Sequence, residues 1–543
     1  MAEPSRPPSS PATGDARPPA FPATGDDRPS AAAVEEARGR VFPTWDDPVA
    51  RTASTAVGGP LGRHAYTGHN WFWTPLRVLL AMTLATLALA WAKQSPCLDG
   101  DWTGSKQYTH FCYSDTIPLW GIHGLNTGLV PYASAPVEYP VLTGGFMYVA
   151  NSFAGSYNQL SAASGLLPDL PGVQSYYIVT ALLLSLCALV ITWTTALLSR
   201  RRIWDAAMVA LSPLLFVHAL TNWDLLAVSL AAAGVLAWSR RHPVLAGVLL
   251  GLGAAAKFYP LLFLGPLFLL CLRAGRLRDW AVTAASTLAT VAAINAPVAL
   301  LYPDNWSRFF ELNTTRAADP DTVWNLAVQL GAGFLNPPPS AVPDMPNDPV
   351  LLNVLTLICF GAVCLAIAVL ALRAEQRPRL MQLLFLVVAG FLLTNKVWSP
   401  QYSLWLLPLA VLALPRWRPI LIWQITEAVL WIPRMLWYLG QDNNGIPVEW
   451  FLLSVIARDV TVVVLVCLVV RDVLQPSHDV VRRGGVDDPA GGVLDGVADV
   501  FVLARRRRAL PEAAAEERDV LGDPVGRGLA DDRRPGVARH RQK

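Results

Sequence analysis

The chain has 543 residues, of which 53% are hydrophobic and 15% charged, with a formal net charge of +3 and positive mean hydropathy. Hydropathy this high over such a length excludes an ordinary soluble enzyme and fits an all-α, polytopic membrane protein. The basic residues fall in loops and tails rather than on one face, so no nucleic-acid partner is expected.

Residues 1–70 are rich in Pro, Ala, Asp and Arg and carry a near repeat, Pro11-Ala-Thr-Gly-Asp15 and Pro22-Ala-Thr-Gly-Asp26. Such a composition buries too little apolar surface to offset the entropy of ordering, which predicts a disordered cytoplasmic tail. The first apolar run begins too late for a cleavable signal peptide. Residues 71–472 form the expected transmembrane domain. Taking about 20 apolar residues per crossing and allowing shorter ones, roughly twelve spans are expected. They centre on Leu76–Trp91, Tyr176–Leu198, Ile203–Leu220, Leu225–Trp238, Leu245–Ala256, Leu261–Leu272, Trp280–Leu301, Leu351–Leu372, Leu380–Leu393, Leu404–Leu414, Ile420–Leu436 and Phe451–Val470. The run Leu142–Phe153 is short and interrupted by glycine, and is expected as an interfacial or re-entrant helix. Residues 473–543 are expected as a polar, mostly disordered cytoplasmic tail that contains the run Arg505–Arg508.

Short loops at every second junction carry arginine: Arg200-Arg201-Arg202, Arg240-Arg241, Arg273, Arg276 and Arg278, Arg373, Arg377 and Arg379, Arg416 and Arg418, and Arg471. All fall on one side if Leu142–Phe153 does not cross, which predicts both termini inside. Among the cysteines, Cys97 and Cys112 share the first outer loop; their spacing leaves a disulfide open, and the other five read as packing residues in apolar runs.

The opposite face then collects the chemistry. It holds Asp115 and Glu138, then Asn222-Trp-Asp224 after His218, then Lys257-Phe-Tyr-Pro260. Arg316, Asp319, Asp321 and Trp324 follow, and then Lys396-Val-Trp398-Ser-Pro-Gln401-Tyr402. Lys257 and Lys396 sit in short outer turns against the positive-inside preference, which an anionic ligand would explain. Taken alone, each lysine reads as snorkelling to headgroups, and Asp224 as a helix-start acid near the macrodipole. His218 reads as a packing histidine. Glu427 and Arg434 lie seven residues apart in one span, roughly on one helical face, and charges at that depth usually face a cavity or each other. Arg458 and Asp459 in the last span are similar. Asp99-Gly-Asp101 has the form of a metal-binding pair, but without a nucleotide diphosphate to neutralise no metal is expected.

Together these pieces resemble the GT-C class of membrane glycosyltransferases, specifically glycosyltransferase family 87. The matching pieces are Asp115, Pro131-Tyr132, Glu138-Tyr139-Pro140, Asn222-Trp-Asp224, Lys257-Phe-Tyr-Pro260 and Trp398-Ser-Pro-Gln-Tyr402, within a region from about Leu76 to Val470. Where the family shows Tyr-Pro-Pro, this chain has Tyr139-Pro140-Val141. The resemblance implies a GT-C-like fold with interfacial helices in the first outer loop. It also implies an extracytoplasmic site, a polyprenyl-phosphate sugar as donor (mannose first, arabinofuranose as the alternative) and an envelope glycolipid or glycan as acceptor. It places the catalytic base at Asp115. Glu138 is the local rival, with anchoring of the loop as its other expected role. Lys257, Arg316, Lys396 and Arg434 are expected to stabilise the departing phosphate. Asn222, Asp224, Trp398, Gln401 and Tyr402 are expected to bind donor phosphate or sugar. No cofactor is expected beyond the lipid-linked donor, and the other partners are membrane lipids. A transporter or flippase of lipid-linked sugars is the main reading from another class; such proteins bind at the midplane between repeats, and no repeat is visible within the spans.

Overall fold

A computed structural model describes residues 72–335, 349–484 and 487–503. The expected N-terminal tail and the Arg505–Arg508 run lie outside the described residues. Among the described residues the structure is helical, with a single isolated bridge between Pro131 and Ala135 and no strand.

Helices α1 (Pro75–Gln94), α4 (Gly172–Ser199), α8 (Leu277–Leu301), α11 (Val350–Arg373) and α15 (Val448–Leu474) are long and apolar enough to cross a membrane. Shorter apolar helices complete the bundle: α5 (Asp224–Ser239), α6 (Pro243–Ala256), α7 (Leu264–Arg273), α12 (Leu380–Thr394) and α13 (Ser403–Ala413). Burial separates the two kinds. Every residue of α13 is buried, and most of α12 is, as expected for helices that are hydrophobic all round. Helix α11 buries only Leu352, Ile367 and Ala371 and leaves Leu357, Ile358 and Leu365 outward. An apolar face of that extent fits contact with lipid rather than water.

One expected span is corrected, and one expected helix proves longer than its apolar run. Ile203–Leu220 is not one span but a broken segment, in which a 3₁₀ stretch leads through Ala207–Ala210 to Pro213–His218. The break follows from its own residues: Pro213 lacks an N–H to continue a helix, and extended Ser212 caps a new start by accepting from Leu214 N–H at 3.1 Å. Leu142–Phe153 belongs to a 24-residue helix, α3 (Val141–Ser164), outside the group apolar enough to cross. It buries Thr143, Gly144, Met147, Ala150 and Ala154, small or slender residues on one face at helical spacing.

One end of the bundle gathers the arginines. The segment after α15, expected as polar tail, is folded there. Arg379 forms a buried pair with Asp479 at 2.7 Å, Arg273 pairs with Asp499 at 2.7 Å, and Arg416 donates to His478 O at 2.6 Å. Arg241 donates to Gly492 O at 3.2 Å and Arg377 to Leu494 O at 2.9 Å. Because one segment touches all these loops, they lie together. Helices α5 and α6, together with α12, α13 and α14 (Trp417–Leu439), each have one end at these arginines. Their other ends carry Asp224, Lys257, Asn395-Lys396, Tyr402 and Tyr438.

Candidate active site

At that second end lies a cavity of about 1090 Å³. It gathers Asp115, Glu138, Lys257, Arg316, Lys396, Gln401, Tyr402 and Arg434 from segments scattered over 320 positions of the chain.

Asp115 reaches the cavity because its loop is stitched to the turn before α5. Ser114 Oγ donates to Leu220 O at 3.0 Å, and Asp115 N–H donates to Thr221 O at 2.9 Å. Asp115 precedes the short helix α2 (Thr116–Ile122) but makes no capping bond to it, so the helix does not use its carboxylate. Three neutral donors hold that carboxylate instead. Tyr113 Oη donates to Oδ1 at 2.8 Å, while Asn222 Nδ2 and Gln401 Nε2 donate to Oδ2 at 2.6 and 3.3 Å. No cation lies within ion-pair distance among the described residues. A carboxylate fixed this way keeps its orientation for another partner. In turn burial, and then the charge of Asp115, push the Tyr113 phenol up from its ordinary range, so it stays a donor.

Asn222 also donates to Tyr139 Oη at 2.7 Å. It orients the Asp115 carboxylate and lies behind the lining rather than in it. Asp224 is likewise out of the cavity: fully buried, it accepts from Trp405 Nε1 at 2.8 Å and pairs with Lys257 at 3.4 Å. Lys257 projects from the end of α6 with extended backbone, its ammonium 5.0 Å from the Tyr139 ring centre and 4.8 Å from that of Tyr402. A carboxylate on one side and two π faces on the others fix the position of this charge.

The remaining cations differ in their engagements. Arg316 pairs with Asp319 at 2.7 Å and stays half exposed. Arg434 pairs with Asp321 at 3.0 Å and lies over the Tyr438 ring at 5.2 Å. Lys396 donates to the Thr314 and Arg316 carbonyls at 3.2 and 2.7 Å, so it fastens the end of helix α9 (Pro303–Thr315). Trp398, expected to bind donor, is outside the lining and buried beneath the Arg458 guanidinium at 3.6 Å. Glu427 faces Arg458 at 3.5 Å, not Arg434, and neither Glu427 nor Arg458 borders the cavity. Asp99 pairs with Lys106 at 3.1 Å and Asp101 accepts from Thr103 N–H; both stand away from the lining. His218 is buried against Trp431.

Glu138 is open to the cavity and has no hydrogen bond or ion pair among the described residues, so it does not anchor the loop. Surrounding protein and the charge of Asp115 raise its pKa, outweighing Arg316, Lys257 and Arg308, which lower it. The folded chain therefore favours protonated Glu138, and ionisation costs stability as pH rises through and above the ordinary glutamate range. Glu138→Gln is expected to raise the melting temperature slightly at neutral pH, with the gain vanishing below the ordinary glutamate pKa. A thermal shift series across pH checks this; equal curves at all pH values would count against it.

Sequence reasoning named Tyr402 but passed over most of the other aromatic residues around these charges. Trp102, Tyr108, Tyr113 and Tyr438 line the cavity, as do Phe258, Phe309 and Phe310. The first loop that carries Trp102 and Tyr108 is closed by a disulfide between Cys97 and Cys112. The only available signal was the density of aromatic residues in segments that do not cross.

The comparison with known families addresses what such a cavity is for. Residues 161–400 match the model of glycosyltransferase family 87. The family 87 match indicates a glycosyltransferase and supports a membrane enzyme of that family. It takes in Asn222, Asp224, Lys257, Arg316, Lys396 and Trp398, whereas Asp115 and Glu138 lie before it. No curated protein matches the chain.

Proposed function

We propose that the chain transfers a sugar from a polyprenyl-phosphate donor to the hydroxyl group of an envelope glycolipid or glycan, on the extracytoplasmic face. The observation that carries this reading is one cavity holding an oriented carboxylate without a cationic partner beside fixed cations.

The acceptor oxygen attacks the anomeric carbon, and its proton passes to the Asp115 carboxylate. The bond from that carbon to the phosphate oxygen breaks, and polyprenyl phosphate leaves with the electron pair. The transition state is oxocarbenium-like, with negative charge growing on phosphate. Lys257 and Arg316 meet that charge. Their carboxylate partners Asp224 and Asp319 hold them in place beforehand, and such preorganised charge is most effective where water is excluded. Arginine offers a fork to two phosphate oxygens and lysine a point charge. One displacement inverts the anomeric centre.

The placement rests on two features. Arginine loops collected at one end favour a cytoplasmic position for that end. A disulfide in the loop beside Asp115 favours an oxidising compartment for the other. Nucleotide sugars are cytoplasmic, so a site there needs a donor that arrives through the lipid phase.

A donor panel tests the class. Membranes containing the chain, given radiolabelled polyprenyl-phosphate mannose, polyprenyl-phosphate arabinose or the nucleotide sugars, should label lipid or glycan from one of the lipid donors. Labelling that depends on the chain but proceeds only from a nucleotide sugar would overturn the proposal.

A further inference from the structure

The aromatic residues of the cavity form two clusters of different chemistry. In one, Tyr108 stacks on Tyr113 with centres 6.3 Å apart and on Tyr438 at 5.8 Å, and Trp102 tilts against Tyr113 at 5.6 Å. Each of these rings has a polar edge. In the other, Phe258 contacts Phe309 at 5.3 Å and Phe310 at 5.8 Å, and these rings carry hydrocarbon alone.

Each cluster is joined to a different part of the chemistry. Tyr113 donates directly to Asp115, so the phenolic cluster adjoins the base. Phe258 follows Lys257 in the chain, and Phe309 and Phe310 lie on α9, which leads into Arg316, so the hydrocarbon cluster adjoins the cations. A base must stand beside the acceptor hydroxyl, and the cations beside the phosphate with its lipid tail. Arg434 is the exception among the cations: with Asp321 behind it and Tyr438 beneath, it belongs to the phenolic side. There its remaining N–H groups suit neutral hydroxyls. The Trp102 indole N–H and Gln107 Oε1 on this side have no partner among the described residues, an unsatisfied donor and acceptor.

Resting on the transfer reading above, we propose that the cavity is divided: the Trp102/Tyr108/Tyr113/Tyr438 wall seats a sugar ring of the acceptor, and the Phe258/Phe309/Phe310 wall seats the first isoprene units of the donor. Amphipathic rings offer a flat apolar face to the C–H side of a pyranose and a polar edge to its hydroxyls. An isoprenoid needs only apolar surface and gains nothing from phenols.

The test uses the full chain in lipid nanodiscs, with octyl α-mannoside as the sugar probe, 1-octanol as its control and farnesyl phosphate as the lipid-phosphate probe. Tyr438 is 39% exposed and Phe310 41%, so Tyr438→Leu and Phe310→Ser leave the buried core intact. Tyr438→Leu should weaken octyl α-mannoside about fivefold, on the scale of one aromatic contact, and leave farnesyl phosphate and octanol unchanged. Phe310→Ser should weaken farnesyl phosphate and spare octyl α-mannoside. Tyr108→Leu repeats the first arm from a second position. Loss of both probes in either variant, or octyl α-mannoside binding no better than octanol to the wild type, overturns the division. The same binding split in a chain that transfers no sugar would uphold the walls and sink the transfer reading; transfer without the split would do the reverse.

Discussion

Replacing Asp115 by asparagine should lower kcat by about 10²–10⁴-fold, the range for loss of a positioned general base. Asparagine keeps the size of the side chain, and its single carbonyl oxygen can still accept from Tyr113 while its NH2 faces the Asn222 and Gln401 amides, so one side of the hydrogen-bonding is lost but the fold and donor binding should persist. The KM for donor should therefore change little, because Asp115 acts on the acceptor. A transfer assay at matched protein levels reads kcat and KM separately. Unchanged kcat would remove Asp115 from the mechanism and direct attention to Glu138, the other carboxylate open to the cavity.

Arg458→Met should be the most damaging change to stability among those considered. Arg458 is completely buried, pairs with Glu427 at 3.5 Å and Asp459 at 2.6 Å, lies over Trp398 and donates to the Asp321 carbonyl. Its removal leaves Glu427 buried without a counter-charge, and breaking such a pair costs about 3–5 kcal/mol. The Asp321 backbone would also lose its tether, and with it the position of Arg434. Thermal unfolding in detergent should show a large drop in melting temperature. Adding Glu427→Gln to Arg458→Met should recover part of it, since the amide removes the stranded charge. A single variant as stable as wild type would show that the pair carries no such weight.

Much of this site is legible in the sequence for one physical reason. Charges are costly in apolar surroundings, so Asp115, Lys257, Arg316 and Arg434 stand out against the hydropathy around them. The expectation that several would meet needs only that alternate helix ends share a face. What the sequence does not carry is partner choice. Helical periodicity puts Glu427 and Arg434 on one face, yet Arg434 pairs with Asp321 and Glu427 with Arg458, since neighbouring segments offer closer partners. Asn222 and Asp224 read as ligand-binding residues, but they lie one layer back, holding Asp115 and Lys257. Trp398 reads as a stacking platform for sugar and stacks on Arg458 instead.

In the fold, the Ser212-Pro213 break was present in the sequence as a helix stop and start, masked by the apolar run around it. The folded stretch after α15 was harder to see. Its composition is that of a solvated tail, and its Asp479 and Asp499 meet arginines that lie far away in the chain. Twelve spans were expected, whereas five described helices meet the length and composition of a crossing. The shorter α5, α6, α12 and α13 are apolar and largely buried, and each runs from the arginine end to the cavity end.

The central claim is that Asp115 takes a proton from the acceptor in a single displacement at the anomeric carbon. The anomeric configuration of the product, determined by NMR on the newly formed glycosidic bond, tests it most directly. A single displacement gives the product a configuration opposite to that of the donor. A product with the donor's own configuration would require two displacements through a covalent intermediate, and would contradict the role assigned to Asp115.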